Sequence, residues 1–196
     1  MFVYENQLRA RGCGLIAGMD EAGRGPLAGP VTVGCCIVNL DDVIDGVNDS
    51  KKLSPKKREE LYGLITEKAV AYSIIDIDWE EIDAINILNA TKKAMREAVS
   101  GLSATPDFLL VDAVKDDFGV PYESVIHGDE LCYSVAAGSI LAKVHRDRLM
   151  VKFDEEYPQY GFARHKGYGT AEHIEALKKY GPCPIHRRTF IKNFFG

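Results

Sequence analysis

The sequence predicts an α/β fold, a five-stranded mixed sheet flanked by helices. Three observations carry this. Short runs such as Val31–Val38 and Phe108–Val111 have the length and the Val, Ile and Cys content of buried strands. Ile87, Ala90, Ala94, Ala98 and Leu102 recur at helical spacing. The order of elements is three strands with one helix among them, then strands and helices in alternation, which argues against an all-parallel sheet.

Leu15–Met19 and Val31–Val38 read as strands joined through the turn-forming Ala22–Pro30, so a hairpin-like antiparallel pair is expected. Ser54-Pro55 is an N-cap followed by proline at the first helical position, and Leu61, Leu64 and Ile65 supply a core stripe, predicting a helix near 54–68. Val70–Ile77 is the third strand. Asp78-Trp79-Glu80-Glu81 resembles a capping box opening a short helical turn, and the apolar spacing then gives a helix near 86–101. Phe108–Val111 is the fourth strand and Tyr122–Ile126 the fifth. Leu131–Val151 is a long helix, apolar nearly all round through Val144 and therefore central. Thr170–Tyr180 is another, closed by Gly181-Pro182. Residues 1–156 are expected to form the core and 157–196 a helical extension of the same domain.

With 196 residues and 46% hydrophobic composition, the chain buries a sizeable core. Hydrophobic runs are short and residues 1–12 lack a secretory pattern, so a soluble, cytoplasmic monomer is expected, away from membranes. Five cysteines with no CxxC pair speak against a disulfide framework or zinc site and for buried thiols. The net charge of −5 hides an asymmetry: residues 143–196 hold 11 Lys and Arg against 6 Asp and Glu, whereas the first 142 hold 13 against 23. An acidic body with a basic C-terminal third suits carboxylates that hold metal while another region holds phosphate.

Asp20, Glu21, Asp112 and Asp129 each sit where a strand or loop meets the next element, and in open α/β sheets such ends gather into one crevice. Neighbouring strand residues point to opposite faces, so Asp20 and Glu21 converge only if the strand ends or bends between them. Oxygen-rich side chains without clustered His or Cys select Mg²⁺ or Mn²⁺ over zinc. Two such ions about 3.5–4 Å apart clamp the attacking and leaving oxygens of a phosphodiester. A strand-end Asp is also a common turn or cap residue, and Asp49, Asp76 and Asp116 occupy similar settings.

Gly23-Arg24-Gly25 reads as a backbone nest approaching a sugar or phosphate closely, or as a plain tight turn. The glycine spacing fails the dinucleotide fingerprint. Lys51, in Asp49-Ser50-Lys51-Lys52, offers an ammonium for phosphate, or a solvated loop. Ser139, Lys143 and Arg146 share one helical face that suits a phosphate backbone; the competing reading is a Lys143–Asp147 surface pair. Arg164 to Thr170 sets Tyr168 between glycines beside basic groups, a combination suited to stacking on a sugar or base, or to a generic basic loop.

Together these segments resemble the ribonuclease HII family, the type 2 ribonucleases H. The matching pieces are GMDEAGRGPLAGP at 18–30, DSKKLS at 49–54, IDAINILNAT at 82–91, Val111-Asp112, Gly128-Asp129, AAGSILAKVHRD at 136–147, YPQYGFARHKGYGT at 157–170 and HRRTF at 186–190. They run through nearly the whole chain. The resemblance implies a ribonuclease H-like fold with a C-terminal helical extension. It also implies hydrolysis of the RNA strand of RNA–DNA hybrids and incision 5′ to ribonucleotides embedded in duplex DNA, leaving 5′-phosphate and 3′-hydroxyl ends. Asp20, Glu21, Asp112 and Asp129 correspond to the family's metal-binding carboxylates. Gly23, Arg24 and Gly25 match the motif that senses the ribose 2′-OH through the backbone, and Tyr168 the tyrosine that stacks on the following sugar. Lys51, Ser139, Lys143 and Arg146 lie in phosphate-contacting segments.

Two positions depart from the family pattern: Ala113 stands where glycine is usual, and Gly138 interrupts the usual Ala-Ala-Ser. The tail has Ile191, Phe194 and Phe195 in the spacing of sliding-clamp-binding peptides but lacks the leading Gln, and packing on its own domain is the expected alternative. Two rival functions follow from the same residues: a two-metal nuclease acting on DNA, and a non-catalytic hybrid-binding module.

Overall fold

The apolar runs at either side of the Gly-rich turn form β1 (Ile16–Ala22) and β2 (Val31–Ile37), an antiparallel pair as expected. In this computed structural model, which describes residues 1–194, β3 (Ala71–Ile77) extends the pair antiparallel to β2. On the other edge β4 (Phe108–Asp112) runs parallel to β1, and β5 (Tyr122–Val125) parallel to β4. The order is β3-β2-β1-β4-β5, a mixed five-stranded sheet.

Every residue of β2 is buried, because helices cover both faces. On one face α4 (Ile87–Ser100) packs Ala94, Met95 and Ala98 against Met19, Val31 and Val33. On the other, α2 (Pro55–Lys68) and α6 (Tyr133–Glu156) bury Leu61, Ile140 and Leu141 with Cys36. The helix starts follow their caps: Ser54 accepts from the Lys57 N–H, and Asp78 accepts from the Glu81 N–H at the head of α3 (Trp79–Ile85).

The α6 helix approaches the sheet backbone to backbone. A Cβ on Gly18 would lie 2.0 Å from the Ser134 carbonyl carbon, and one on Gly138 2.7 Å from the Gly34 carbonyl oxygen. Gly138 is therefore part of a glycine seam between α6 and the two central strands.

The predicted helix over Leu131–Val151 is in fact two. A short α5 (Gly128–Leu131) begins after His127 in a left-handed conformation; Cys132 is extended, and α6 then continues to Glu156. No side chain of its own segment caps α6. That role falls to Glu5 in α1 (Val3–Ala10), whose buried carboxylate accepts from the Ser134 N–H at 2.9 Å and hydroxyl at 2.8 Å. Local spacing predicts no helix over these eight mostly polar residues.

Beyond α6, the segments α7 (Phe162–His165), α8 (Ala171–Tyr180) and α9 (Arg188–Ile191) lie over the loop joining β1 to β2. Phe162, Cys183 and Ile185 pack on Ala28 and Met150, and His186 forms an isolated antiparallel bridge with Ala28. All five cysteines are free and four are buried, as expected. Among the described residues no helix is long and apolar enough to cross a membrane.

Candidate active site

The parallel pairing of β1 and β4 brings their C-terminal ends side by side. It stops at Met19–Val111, while β1 stays paired with β2 as far as Ala22–Thr32. A cleft therefore opens past Met19 on the β4 side. Its volume is about 240 Å³, and its lining includes Asp20, Glu21, Asp112 and Lys51. The expectation that β1 ends or bends between Asp20 and Glu21 is corrected: the ladder to β2 is unbroken through both. Met19 faces α4 and Gly18 faces α6, so Asp20 points toward α6 and Glu21 toward the opposite face. Both still border the cleft.

Asp129 joins from α5. The Gly128 N–H donates to Asp112 Oδ1 at 2.7 Å, fixing the turn that carries Asp129 against the end of β4. Lys51 Nζ lies 2.9 Å from Asp129 Oδ2, and Arg24 Nη1 3.2 Å from Glu21 Oε1. Asp49, Asp76 and Asp116 are committed elsewhere: to the Lys51 N–H, to Thr32 and His145, and to Arg96.

The electrostatics of the four acids are unbalanced. Burial, then the neighbouring charges of Glu21 and Asp112, push the Asp20 carboxyl well above the usual range, and Asp129 adds to the effect. Burial also raises Glu21, against the lowering pull of Arg24, and raises Asp112, against the Gly128 hydrogen bond. Among the described residues the buried Glu21 Oε2 has no hydrogen-bond partner. An all-oxygen set short of positive charge, with an orphaned carboxylate oxygen, fits a hard divalent cation. Among the described residues no three His, Cys, Asp or Glu side chains stand ready as a chelating group. Ion binding to this set would therefore entail side-chain rotation.

The same cleft is bordered by Gly23, Arg24 and Gly25, by Ser139 and Lys143 of α6, and by Tyr168, which is 45% exposed. Ser139 is buried with its hydroxyl donating to the Ala136 carbonyl, and Lys143 pairs with Asp147 at 2.7 Å, the surface pair weighed from sequence. Arg146 departs from expectation. It is 1% exposed, and its guanidinium donates to the carbonyls of Pro30, Ala28 and Lys166. It stands behind the Gly23–Pro30 loop, out of reach of a phosphate in the cleft.

Two features of the site were missed in the sequence. Arg187 is also fully buried, donating to the carbonyls of Gly23, Arg24, Gly29 and Pro30. Burial, with each cation repelling the other in the case of Arg187, pulls Arg187 down to about 9 and Arg146 to about 10, so both stay charged at neutral pH. Second, His173 Nδ1 lies 2.9 Å from the Tyr168 carbonyl, and its Nε2 3.0 Å from Nε2 of His186. Burial and the nearby His173 bring His186 down to about 4, which keeps it neutral behind the tyrosine. Basic and imidazole side chains of this kind read as surface ligands until the fold buries them.

Comparison with known proteins agrees with this architecture. The sequence pattern of Ribonuclease HII matches residues 17–193. The chain belongs to the ribonuclease HII family. A ribonuclease HII of Acetivibrio thermocellus is 55% identical over 195 residues, 99% of this chain and 76% of the relative. The ribonuclease H2 of Pyrococcus horikoshii superposes with a TM-score of 0.78 at 28% identity, covering 91% of this chain and 96% of that one. The ribonuclease HII of Archaeoglobus fulgidus, solved as a complex with PCNA, gives 0.77 at 26% identity, covering 93% and 97%. The protein is thus an endoribonuclease with a ribonuclease H fold, and family and fold together support RNA–DNA hybrids as its class of substrate.

Proposed function

We propose that the protein incises the strand 5′ to ribonucleotides embedded in duplex DNA, as well as the RNA strand of hybrids, leaving 5′-phosphate and 3′-hydroxyl ends. The observation that carries this reading is the meeting, around one cleft, of acids from three separate segments with the Gly23–Gly25 turn and Tyr168. Asp20, Glu21, Asp112 and Asp129 would hold a pair of Mg²⁺ or Mn²⁺ ions, which when bound supply Lewis-acid activation of water and charge stabilisation at the leaving oxygen. The protein's own groups bind and orient the strand. The backbone of residues 23–25 reads the 2′-hydroxyl, the group by which RNA differs from DNA. The exposed Tyr168 ring offers a face for the next sugar. Lys51 and Lys143, with Ser139 beside them, meet phosphates at the cleft edge; Arg146 is withdrawn from that role. Residues 1–156 serve as the catalytic core and 157–196 as a substrate-binding extension, and the protein works as a soluble cytoplasmic monomer.

The complex of the Archaeoglobus relative with PCNA supports a sliding clamp as a further partner. Ile191, the first residue of the clamp-like spacing, is buried in its own fold, whereas Phe194 is half-buried and Phe195 lies outside the described residues. Clamp binding through Ile191 would therefore require the last turn to detach.

A duplex with one ribonucleotide, incubated with Mg²⁺, Mn²⁺ or chelator, tests the proposal. Metal-dependent incision on the 5′ side of that ribonucleotide is expected. Equal cleavage of all-DNA duplex would favour the DNA-nuclease reading, and binding without turnover the non-catalytic one.

A further inference from the structure

The loop that carries Gly23, Arg24 and Gly25 is gripped from behind by two buried cations. Arg187 donates through Nη2 to Gly23 O at 2.6 Å and Pro30 O at 3.0 Å, through Nη1 to Arg24 O at 2.9 Å, and through Nε to Gly29 O at 2.9 Å. Arg146 donates through Nε to the same Pro30 carbonyl at 2.9 Å, through Nη2 to Ala28 O at 3.1 Å, and through Nη1 to Lys166 O at 2.9 Å. Among the described residues neither guanidinium has a carboxylate in ion-pair contact. Burying two like charges close together without an anion is costly. Six donors matched to loop carbonyls, with a seventh on the Lys166 carbonyl, offset that cost and fix the loop's conformation.

The geometry has a second effect. Within a trans peptide the C=O and the following N–H point in opposite directions, and there is no cis bond among the described residues. Turning the Gly23 and Arg24 carbonyls onto Arg187 turns the N–H groups of Arg24 and Gly25 away from it. Among the described residues neither N–H has a partner within the protein, and both residues border the cleft. Successive free N–H groups form an acceptor-binding nest, here backed by the fixed positive charge of two guanidiniums. The glycines suit this arrangement. Gly23 has φ +94, and a Cβ there would lie 2.1 Å from Arg146 Nε; at Gly25 a Cβ would project into the space before the Tyr168 ring, 3.7 Å from its Cε1.

We infer that Arg187 is a specificity-determining positioning residue: it aims the Arg24 and Gly25 N–H groups at one substrate oxygen, the ribose 2′-hydroxyl. Arg146 packs against Gly23 and supports the same loop through Pro30 and Ala28, but it donates to neither the Gly23 nor the Arg24 carbonyl. The inference rests on the proposed reading of residues 23–25 as the ribose sensor and adds what holds that sensor in shape.

Equilibrium binding in chelator, so that nothing is cleaved, tests it with two duplexes differing by a single 2′-hydroxyl. The unaltered protein should bind the ribonucleotide duplex more tightly. Arg187→Lys keeps the charge but loses the planar fork; it should reduce that preference about tenfold or to none, with all-DNA binding unchanged. A variant that keeps the full preference overturns the inference. So does one that loses affinity for both duplexes equally, which marks a structural role only. No preference in the unaltered protein instead refutes the ribose-sensor reading itself. Should Arg187→Lys fail to fold, side-chain and backbone NMR of the unaltered protein decides. Arg187 guanidinium protons should be protected from exchange, and the Arg24 and Gly25 amides should shift with the ribonucleotide duplex alone. Rapid exchange at Arg187 or unmoved amides would overturn the inference.

Discussion

The acidic floor of the cleft and the arginine-braced loop beside it are electrostatic opposites. Both bury charge of one sign without an equal count of the other. At the floor, Asp20 is 5% exposed among three further acids, and Glu21 Oε2 has no hydrogen-bond partner among the described residues. In the loop, Arg146 and Arg187 are as deeply buried, yet their donors are spent on carbonyls. A buried charge left unsatisfied marks a place where a ligand completes the structure; one fully satisfied by backbone marks a place where shape is being held. The two regions should accordingly respond to mutation in different ways, the first in turnover and the second in folding and in the shape of the loop.

The largest expected effect lies at the floor. Asp112→Asn should lower cleavage of a ribonucleotide-containing duplex by about 10³-fold or more, on the scale of removing a metal ligand or key charge-stabilising group, while duplex binding measured in chelator stays near that of the unaltered protein. Near-full activity would remove Asp112 from the reaction. In the loop, Arg146→Leu should cost about 3 kcal/mol of folding stability in denaturant melts, because three carbonyls lose charged donors in a buried setting. A stable variant with weakened phosphate binding would instead restore Arg146 to the surface role read from sequence.

Acidity offers a third way to sharpen the contrast. The raised Asp20 carboxyl favours the protonated fold, so its contribution is full below the ordinary carboxylate range and is lost as pH rises through the raised value. Asp20→Asn should therefore raise Tm at neutral pH, by about 3 °C for each kcal/mol relieved, with the gain shrinking toward pH 4. Mg²⁺ or Mn²⁺ should raise the Tm of the unaltered protein more than that of the variant. A Tm gain independent of pH would show that the benefit is not electrostatic. The smallest effect concerns Ala113, at φ +48 beside Asp112. Ala113→Gly should stabilise the fold by about 0.5 kcal/mol, as relief of the left-handed alanine slightly exceeds the added freedom of the unfolded chain. A loss of stability would show that the alanine methyl group makes packing contacts worth more than that strain.

Much of this arrangement was legible in the residues themselves. The β1–β2 hairpin, the capped starts at Ser54 and Asp78 and the apolar stripe of α4 each depend on local signals, and the structure follows them closely. The gathering of Asp20, Glu21 and Asp112 at one cleft was expected from strand ends, but through a bend in β1 that the unbroken ladder to β2 does not show. What escaped was decided by distant contacts. Glu5 caps a helix that begins 128 residues after it, at Tyr133, which no local spacing foretells. Arg146 shares the face of Ser139 and Lys143 by period, but only the return of the C-terminal segment over the loop turns that face inward at its far end. A basic residue reads the same whether it meets phosphate or carbonyl.

The hydrogen bond from Arg187 to Gly23 spans 164 positions of the chain. Translation runs in one direction, so the ribosome must extend the chain from Gly23 through Arg187 before the turn receives its clasp. A nascent chain that has already folded its five strands still lacks that clasp until the segment carrying Arg187 has emerged and returned to the turn.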